Sequence, residues 1–123
     1  RVKEAELETP SNRHAPIAAR LSLAAMSGAT VAAEFDFRQT GPQTWDIVVE
    51  TDRGRLVLGA GGNHLIVDGA VQEVGPEAEY AGLYAHFADL VLNAVSDVDL
   101  APLKVVADAF LCGRNSLTDP FDY

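Results

Sequence analysis

The hydrophobic period changes once along this sequence, at Gly75-Pro76, and that change limits the folds open to it. Before it, apolar residues alternate at every second position; after it, they recur every third and fourth. Alternation is clearest from Pro16 to Ala25, where Ile17, Ala19, Leu21 and Leu23 share one side and Arg20 and Ser22 the other. The run from Val31 to Arg38 repeats it, with Val31, Ala33, Phe35 and Phe37 against Glu34, Asp36 and Arg38. From Gln43 to Thr51, Trp45, Ile47 and Val49 oppose Asp46 and Glu50. A weaker run from Val2 to Thr9 sets Ala5 and Leu7 against Glu4, Glu6 and Glu8. Successive side chains of a strand point to opposite faces, so these segments describe an antiparallel sheet with one buried and one polar face. Arg20 and Arg38 are placed to pair across strands with Glu34, Asp36 or Glu50, and the three glutamates read as a solvated edge.

Short connections favour a meander. Ser27-Gly28-Ala29 suits a hairpin loop, Asp52-Arg53-Gly54 a three-residue loop, and Asp68-Gly69 a two-residue turn between short strands His64 to Val67 and Ala70 to Val74. Leu56 to Leu58 is a further short strand. The run Gly59-Ala60-Gly61-Gly62 has the glycine content of a phosphate-binding loop. That fingerprint needs a helix directly behind it, whereas here another strand follows, so a plain turn is the reading.

After Pro76 the helical period begins. Glu77 and Glu79 complement the positive helix start, and Tyr80, Leu83, Tyr84, Phe87, Leu90 and Val91 form one stripe. Ser96 to Asp99 breaks this helix. Asp99 caps the next, Pro102 lies in its first turn, Leu103, Val106, Ala107, Phe110 and Leu111 form its apolar side, and Gly113 stops it before a tail. The expected fold is therefore α+β, one domain over 1–123: an open, mainly antiparallel sheet of about six or seven strands with two C-terminal helices packed on one face.

Charge and composition exclude several functions. A formal net charge of −9, with nine scattered basic residues, argues against nucleic-acid or anionic-membrane partners. No apolar run approaches the roughly 20 residues needed to span a bilayer, and the expected setting is cytoplasmic. Cys112 is the single cysteine, which removes an internal disulfide and a cysteine zinc site; it reads as a small apolar residue on a helix. His14, His64 and His86 lack metal-ligand spacing, and Asp97 and Asp99 read as turn and cap residues. No catalytic set emerges.

One loop carries recognition chemistry. Arg38-Gln39-Thr40-Gly41-Pro42-Gln43-Thr44-Trp45-Asp46 joins two strands through a Gly-Pro turn and ends at the sole tryptophan. Sugars offer apolar C–H faces and hydroxyl edges, which an indole flanked by amides and hydroxyls can bind. By phase alone, Trp45 also fits the first core residue of its strand, in step with Ile47 and Val49.

The runs RQTGPQTWDI (38–47), EYAGLYAHFADLV (79–91) and SDVDLAPLKVVADAFLCGR (96–114) resemble the C-terminal half of bacterial aldose 1-dehydrogenases in the glucose-fructose oxidoreductase and inositol dehydrogenase (Gfo/Idh/MocA) family. The resemblance covers nearly the whole chain. It implies a two-domain enzyme that oxidises the anomeric carbon of a galactose-type or arabinose-type sugar with NAD or NADP. The present chain corresponds to the substrate-binding and oligomerisation domain. The Gly-rich cofactor fingerprint and the catalytic lysine would precede Arg1, so this fragment is expected to bind no NAD(P) and to be inactive alone. The resemblance sets Trp45 against the sugar, with Gln43 and Thr44 beside it, assigns no catalytic residue and no metal site to these residues, and implies homo-oligomers through the open sheet face. A non-enzymatic binding or assembly module of the same fold is the alternative.

Overall fold

A computed structural model of the chain describes residues 1–76 and 78–122, which form two compact units. Glu77, expected beside Glu79 at a helix start, lies outside the described residues. The first unit comprises residues 1–39 and 98–122 and holds a four-stranded sheet in the order β3-β2-β1-β8. Its strands are β1 (Val2–Pro10), β2 (Ala18–Ala24), β3 (Thr30–Asp36) and β8 (Arg114–Thr118). The β1–β2 and β2–β3 pairs are antiparallel, with Leu7 opposite Ala19 and Ala19 opposite Phe35. That register collects Ala5, Leu7, Ala19, Leu21, Ala33 and Phe35 on one face and Glu6, Arg20 and Glu34 on the other, as the alternation requires.

The tail expected after Gly113 is in fact a strand. β8 runs parallel to β1, from Glu6 opposite Arg114 to Pro10 opposite Thr118. Side chains reinforce the ladder: the buried Thr9 hydroxyl donates to Asn115 Oδ1 at 2.8 Å, and Asn12 both donates to the Phe121 carbonyl at 3.2 Å and accepts from the Phe121 N–H at 2.9 Å. The segment RNSLT lacks alternation strong enough to announce a strand, and only its partner β1 supplies the reason for one. Helix α2 (Ala101–Cys112) lies against β1 on the apolar face. Asp99 Oδ1 accepts the Ala101 N–H at 2.8 Å, and Pro102 sits in the first turn. Gly113 ends α2 in extended backbone because the chain must pass closely over β1; a Cβ there would run into the Ala109 carbonyl and lie 3.2 Å from the Ala5 Cβ. The core of this unit is small: Ala5, Leu7, Ile17, Ala18, Ala109 and Pro10. An apolar cavity of about 280 Å³ opens beside it, lined in part by Leu21, Phe35, Phe37, Val106 and Phe110.

The second unit, residues 40–97, holds a four-stranded antiparallel sheet in sequential order. Its strands are β4 (Ile47–Thr51), β5 (Gly54–Gly59), β6 (His64–Val67) and β7 (Ala70–Gln72). Asp68 and Gly69 both take positive φ, 49° and 82°, in the two-residue turn anticipated from their sequence. Between β5 and β6, Ala60–Gly62 forms a short 3-10 turn rather than a phosphate loop. Helix α1 (Glu79–Asn93) follows and ends at Ala94 in the left-handed conformation, where the Val95 N–H bonds the Leu90 carbonyl at 3.0 Å. Its stripe of Tyr80, Leu83, Tyr84, Phe87 and Val91 is exposed, each residue by more than half.

The α+β class and the antiparallel preference stand, with the strands divided between two sheets of four. The second sheet departs from the one-face pattern. Ile47, Leu58 and Leu65 share one face, and Val48, Val57, Ile66 and Val71 share the other. Reading β4 as Trp45, Ile47 and Val49 against Asp46 and Glu50 passes over Val48, which makes the opposite face apolar as well. No described helix is long and apolar enough to cross a membrane.

Candidate functional site

The recognition loop ends on the Gly-rich turn of the second unit. Gln43, Thr44 and Trp45 are exposed, and strand geometry begins only at Ile47. The Trp45 carbonyl accepts the Gly61 N–H at 3.1 Å. A Cβ built on Gly61 would stand 3.7 Å from Trp45 Cε3, so the indole rests against this glycine, which itself needs φ +69°. Trp45 is nevertheless 72% exposed, which leaves most of the ring open. An aromatic side chain tethered at its backbone and open over most of its surface is a platform for an apolar ligand face.

The adjoining residue uses the same turn. Asp46 Oδ1 would lie 3.1 Å from a Cβ on Gly59, so the carboxylate occupies the space that a side chain there would take. A hollow of about 390 Å³ lies at the turn, lined by Gly61, Gly62, Asn63, Gly75, Pro76 and Glu79 among others. The four-residue run that looked like a phosphate loop is therefore the seat of Trp45 and Asp46. Sequence reasoning missed this because the contact joins positions well apart in the chain, and glycine content alone does not say what approaches it.

A second polar cluster lies on the charged face of the first sheet. Glu8 bridges two guanidinium groups, Arg20 at 2.9 Å through Oε1 and Arg38 at 2.8 Å through Oε2. Arg38 also clasps Asp36, with Nη2 to Oδ2 at 2.8 Å and Nε to Oδ1 at 2.9 Å. Hydrogen bonds from Arg38, joined by Arg20 at Glu8, hold both carboxyls below the ordinary range, Asp36 at about 2. The same contacts raise the Arg38 guanidinium. Arg20 and Arg38 were expected to pair across strands with Glu34, Asp36 or Glu50; Asp36 instead pairs with Arg38 two residues along the chain, and the cross-strand partner of both arginines is Glu8, which was read as solvated edge but lies on an interior strand with a side chain only 18% exposed. Strand β8 is what converts β1 from an edge to an interior strand. This cluster is saturated with its own pairs, which suits it to structure more than to chemistry. His86 Nε2 and Asp97 Oδ2 meet at 2.9 Å on the surface of the second unit, both 58% exposed. No group of three or more metal-ligating side chains occurs among the described residues.

Fold and site together define an α+β sheet-and-helix domain that presents an aromatic, hydrogen-bonding rim. The chain is similar to galactose 1-dehydrogenase of Pseudomonas fluorescens, with 41% identity over 120 residues, 98% of this chain and 40% of that protein. It is also similar to the crystal structure of D-galactose-1-dehydrogenase protein from Rhizobium etli, with a TM-score of 0.90 and 49% identity over 98% of this chain and 38% of that one. The chain thus spans about two fifths of the length of these relatives. No family model matches it.

Proposed function

We propose that this chain is the C-terminal, substrate-binding part of an NAD(P)-dependent aldose 1-dehydrogenase of the D-galactose or L-arabinose type, in the Gfo/Idh/MocA family. The observation that carries the reading is similarity over 98% of the chain, in sequence and in three dimensions, to proteins named galactose 1-dehydrogenase. The reaction removes hydride from the anomeric carbon and a proton from its hydroxyl, giving the lactone. These residues do not fit the cofactor: the Gly-rich turn has a strand on each side and offers no helix start to a pyrophosphate. Hydride acceptor and proton acceptor therefore belong to sequence outside this chain, and the chain alone turns over no sugar.

Within the reading, Trp45 stacks on the sugar, and Gln43 and Thr44 reach its hydroxyls from the same loop. Orientation of the ring before transfer is their contribution to rate. Replacing Trp45 by alanine in the full-length enzyme is expected to raise KM for D-galactose by about tenfold, the scale of one lost stacking contact. Unchanged KM and turnover would remove Trp45 from the site. The enzyme is cytoplasmic in this reading and a homo-oligomer through the charged face of the first sheet. Light scattering on the full-length protein bears on the second point, since a monomer at high concentration contradicts it.

A further inference from the structure

Resting on the reading of Trp45 as a sugar contact, we propose that the hollow beside it takes the hydroxyl edge of the same sugar, held by Asn63 and Glu79, and turns away sugars that carry a negative charge. The second sheet is a sequential antiparallel meander: Ile47 of β4 pairs with Leu58 of β5, Gly59 with His64 of β6, and Leu65 with Gln72 of β7. That register brings the start of β4, the turn between β5 and β6, and the exit from β7 to one end of the sheet. Trp45 lies just before β4 and Asn63 just before β6, while Val74 and Gly75 follow β7 and Glu79 opens α1. The hollow is bounded by the last two of these connections, through Gly61, Gly62, Asn63, Gly75 and Glu79. Gly61 is its border with the indole: the Gly61 N–H donates to the Trp45 carbonyl at 3.1 Å, and a Cβ on this glycine would stand 3.7 Å from Trp45 Cε3. Platform and hollow therefore share one wall, at the end of the sheet rather than on either face.

Among the described residues, Asn63 and Glu79 are the ones lining the hollow with polar side chains, and neither side chain has a hydrogen-bond or ion-pair partner there. Glu6, Glu8 and Asp36 on the charged face of the first sheet are, by contrast, matched to arginines. An amide donates and accepts, and a carboxylate accepts only. Neighbouring hydroxyls of a sugar find complementary groups here: one donates to Glu79, and the next accepts from the Asn63 amide. Bonds to a charged acceptor are the stronger kind, so Glu79 carries most of the selection. Stacking on the indole accepts any sugar with an apolar C–H face, whereas a site that bonds hydroxyls rejects analogues without them. Charge adds a second rule. No lysine or arginine lines the hollow among the described residues, and a carboxylate does. A phosphate or carboxylate on the sugar would meet like charge with nothing to neutralise it. The class of ligand taken here is a neutral, unphosphorylated sugar.

The test compares Glu79→Gln, Asn63→Ala and Trp45→Ala with the unaltered longer protein proposed above. D-galactose is the substrate, and D-galacturonate, which carries a carboxylate at C6, is the competing inhibitor. Glu79→Gln is expected to raise KM for D-galactose about tenfold, with kcat within about threefold. In the same variant, inhibition by D-galacturonate should become about fivefold stronger, because the like charge is gone. Asn63→Ala should raise KM about threefold and leave the preference for neutral over charged sugar as it was. The opposite movement of the two constants in Glu79→Gln is what a merely structural loss at the start of α1 would not give. An unchanged KM in both hollow variants, or galacturonate inhibition that weakens in step with galactose, overturns the proposal. If Trp45→Ala raises KM while the hollow variants do not, the hollow alone falls. If all three leave KM unchanged, the placement of the sugar at this loop falls with it.

Discussion

At the scale of single residues, Asp36 gives the sharpest pH prediction. Its hydrogen bonds to Arg38 lower its folded pKa from 3.8 to about 2, so the unfolded chain binds more protons over that interval. Its contribution to stability is complete above about pH 4 and is lost as pH falls through about 2. Melting temperatures of wild type and Asp36→Asn should differ at pH 6 and converge near pH 2. The difference is expected to be small, since half of the side chain is in solvent and salt screens such pairs. Ala94 predicts the opposite sign. It holds φ 50° at the end of α1, where glycine carries no Cβ penalty, so Ala94→Gly should stabilise the second unit by about 0.5–1 kcal/mol in urea denaturation. Residue-level legibility was uneven. Pro102 in the first turn and the Asp68-Gly69 turn follow from local chemistry and are where the sequence puts them, whereas the cap position of α2 falls on Leu100 and Asp99, one residue earlier, accepts the Ala101 N–H. The Glu8 bridge was invisible because an alternating glutamate looks the same on an edge strand as on an interior one.

Among the elements, Gly113 and β8 decide how the first unit is closed. Gly113 lets the chain turn off α2 directly over Ala5 and Leu7, and a methyl group there meets the Ala109 carbonyl. Gly113→Ala should therefore cost about 1–3 kcal/mol, read as a lower urea midpoint with an unchanged slope. Asp99→Ala, which frees the Ala101 N–H, should cost about 1 kcal/mol. Strands β1 to β3 and both helices were legible because each carries its own period. β8 was not, since its five residues become a strand only through the parallel ladder with β1. The division into two sheets was also hidden: alternation specifies faces, not which strands share a ladder.

For the molecule as a whole, exposed apolar surface dominates. The second sheet carries valines and isoleucine outward, with Ile47, Val48, Val49 and Val71 each more than 40% exposed, and the α1 stripe is open as well. Surfaces of this extent mark contact sites. The isolated 123-residue chain should accordingly bind a hydrophobic dye and associate with rising concentration in sedimentation velocity. If the chain is part of the longer protein proposed above, that protein should bind far less dye per chain; equal binding would mean that its remainder leaves these surfaces bare. The candidate site was legible to the extent that Trp45 and its loop were, whereas the seat beneath it required the turn at Gly59–Gly62 to be seen in place.

The parallel ladder between β1 and β8 ties the order of synthesis to the order of folding. The residues of β1 wait, with one flank of their strand unpaired, until Thr118 has been translated. Throughout that interval the β1 flank is open to any extended peptide nearby. Ribosome-stalled chains ending before Arg114 should therefore need a chaperone that the released product does not.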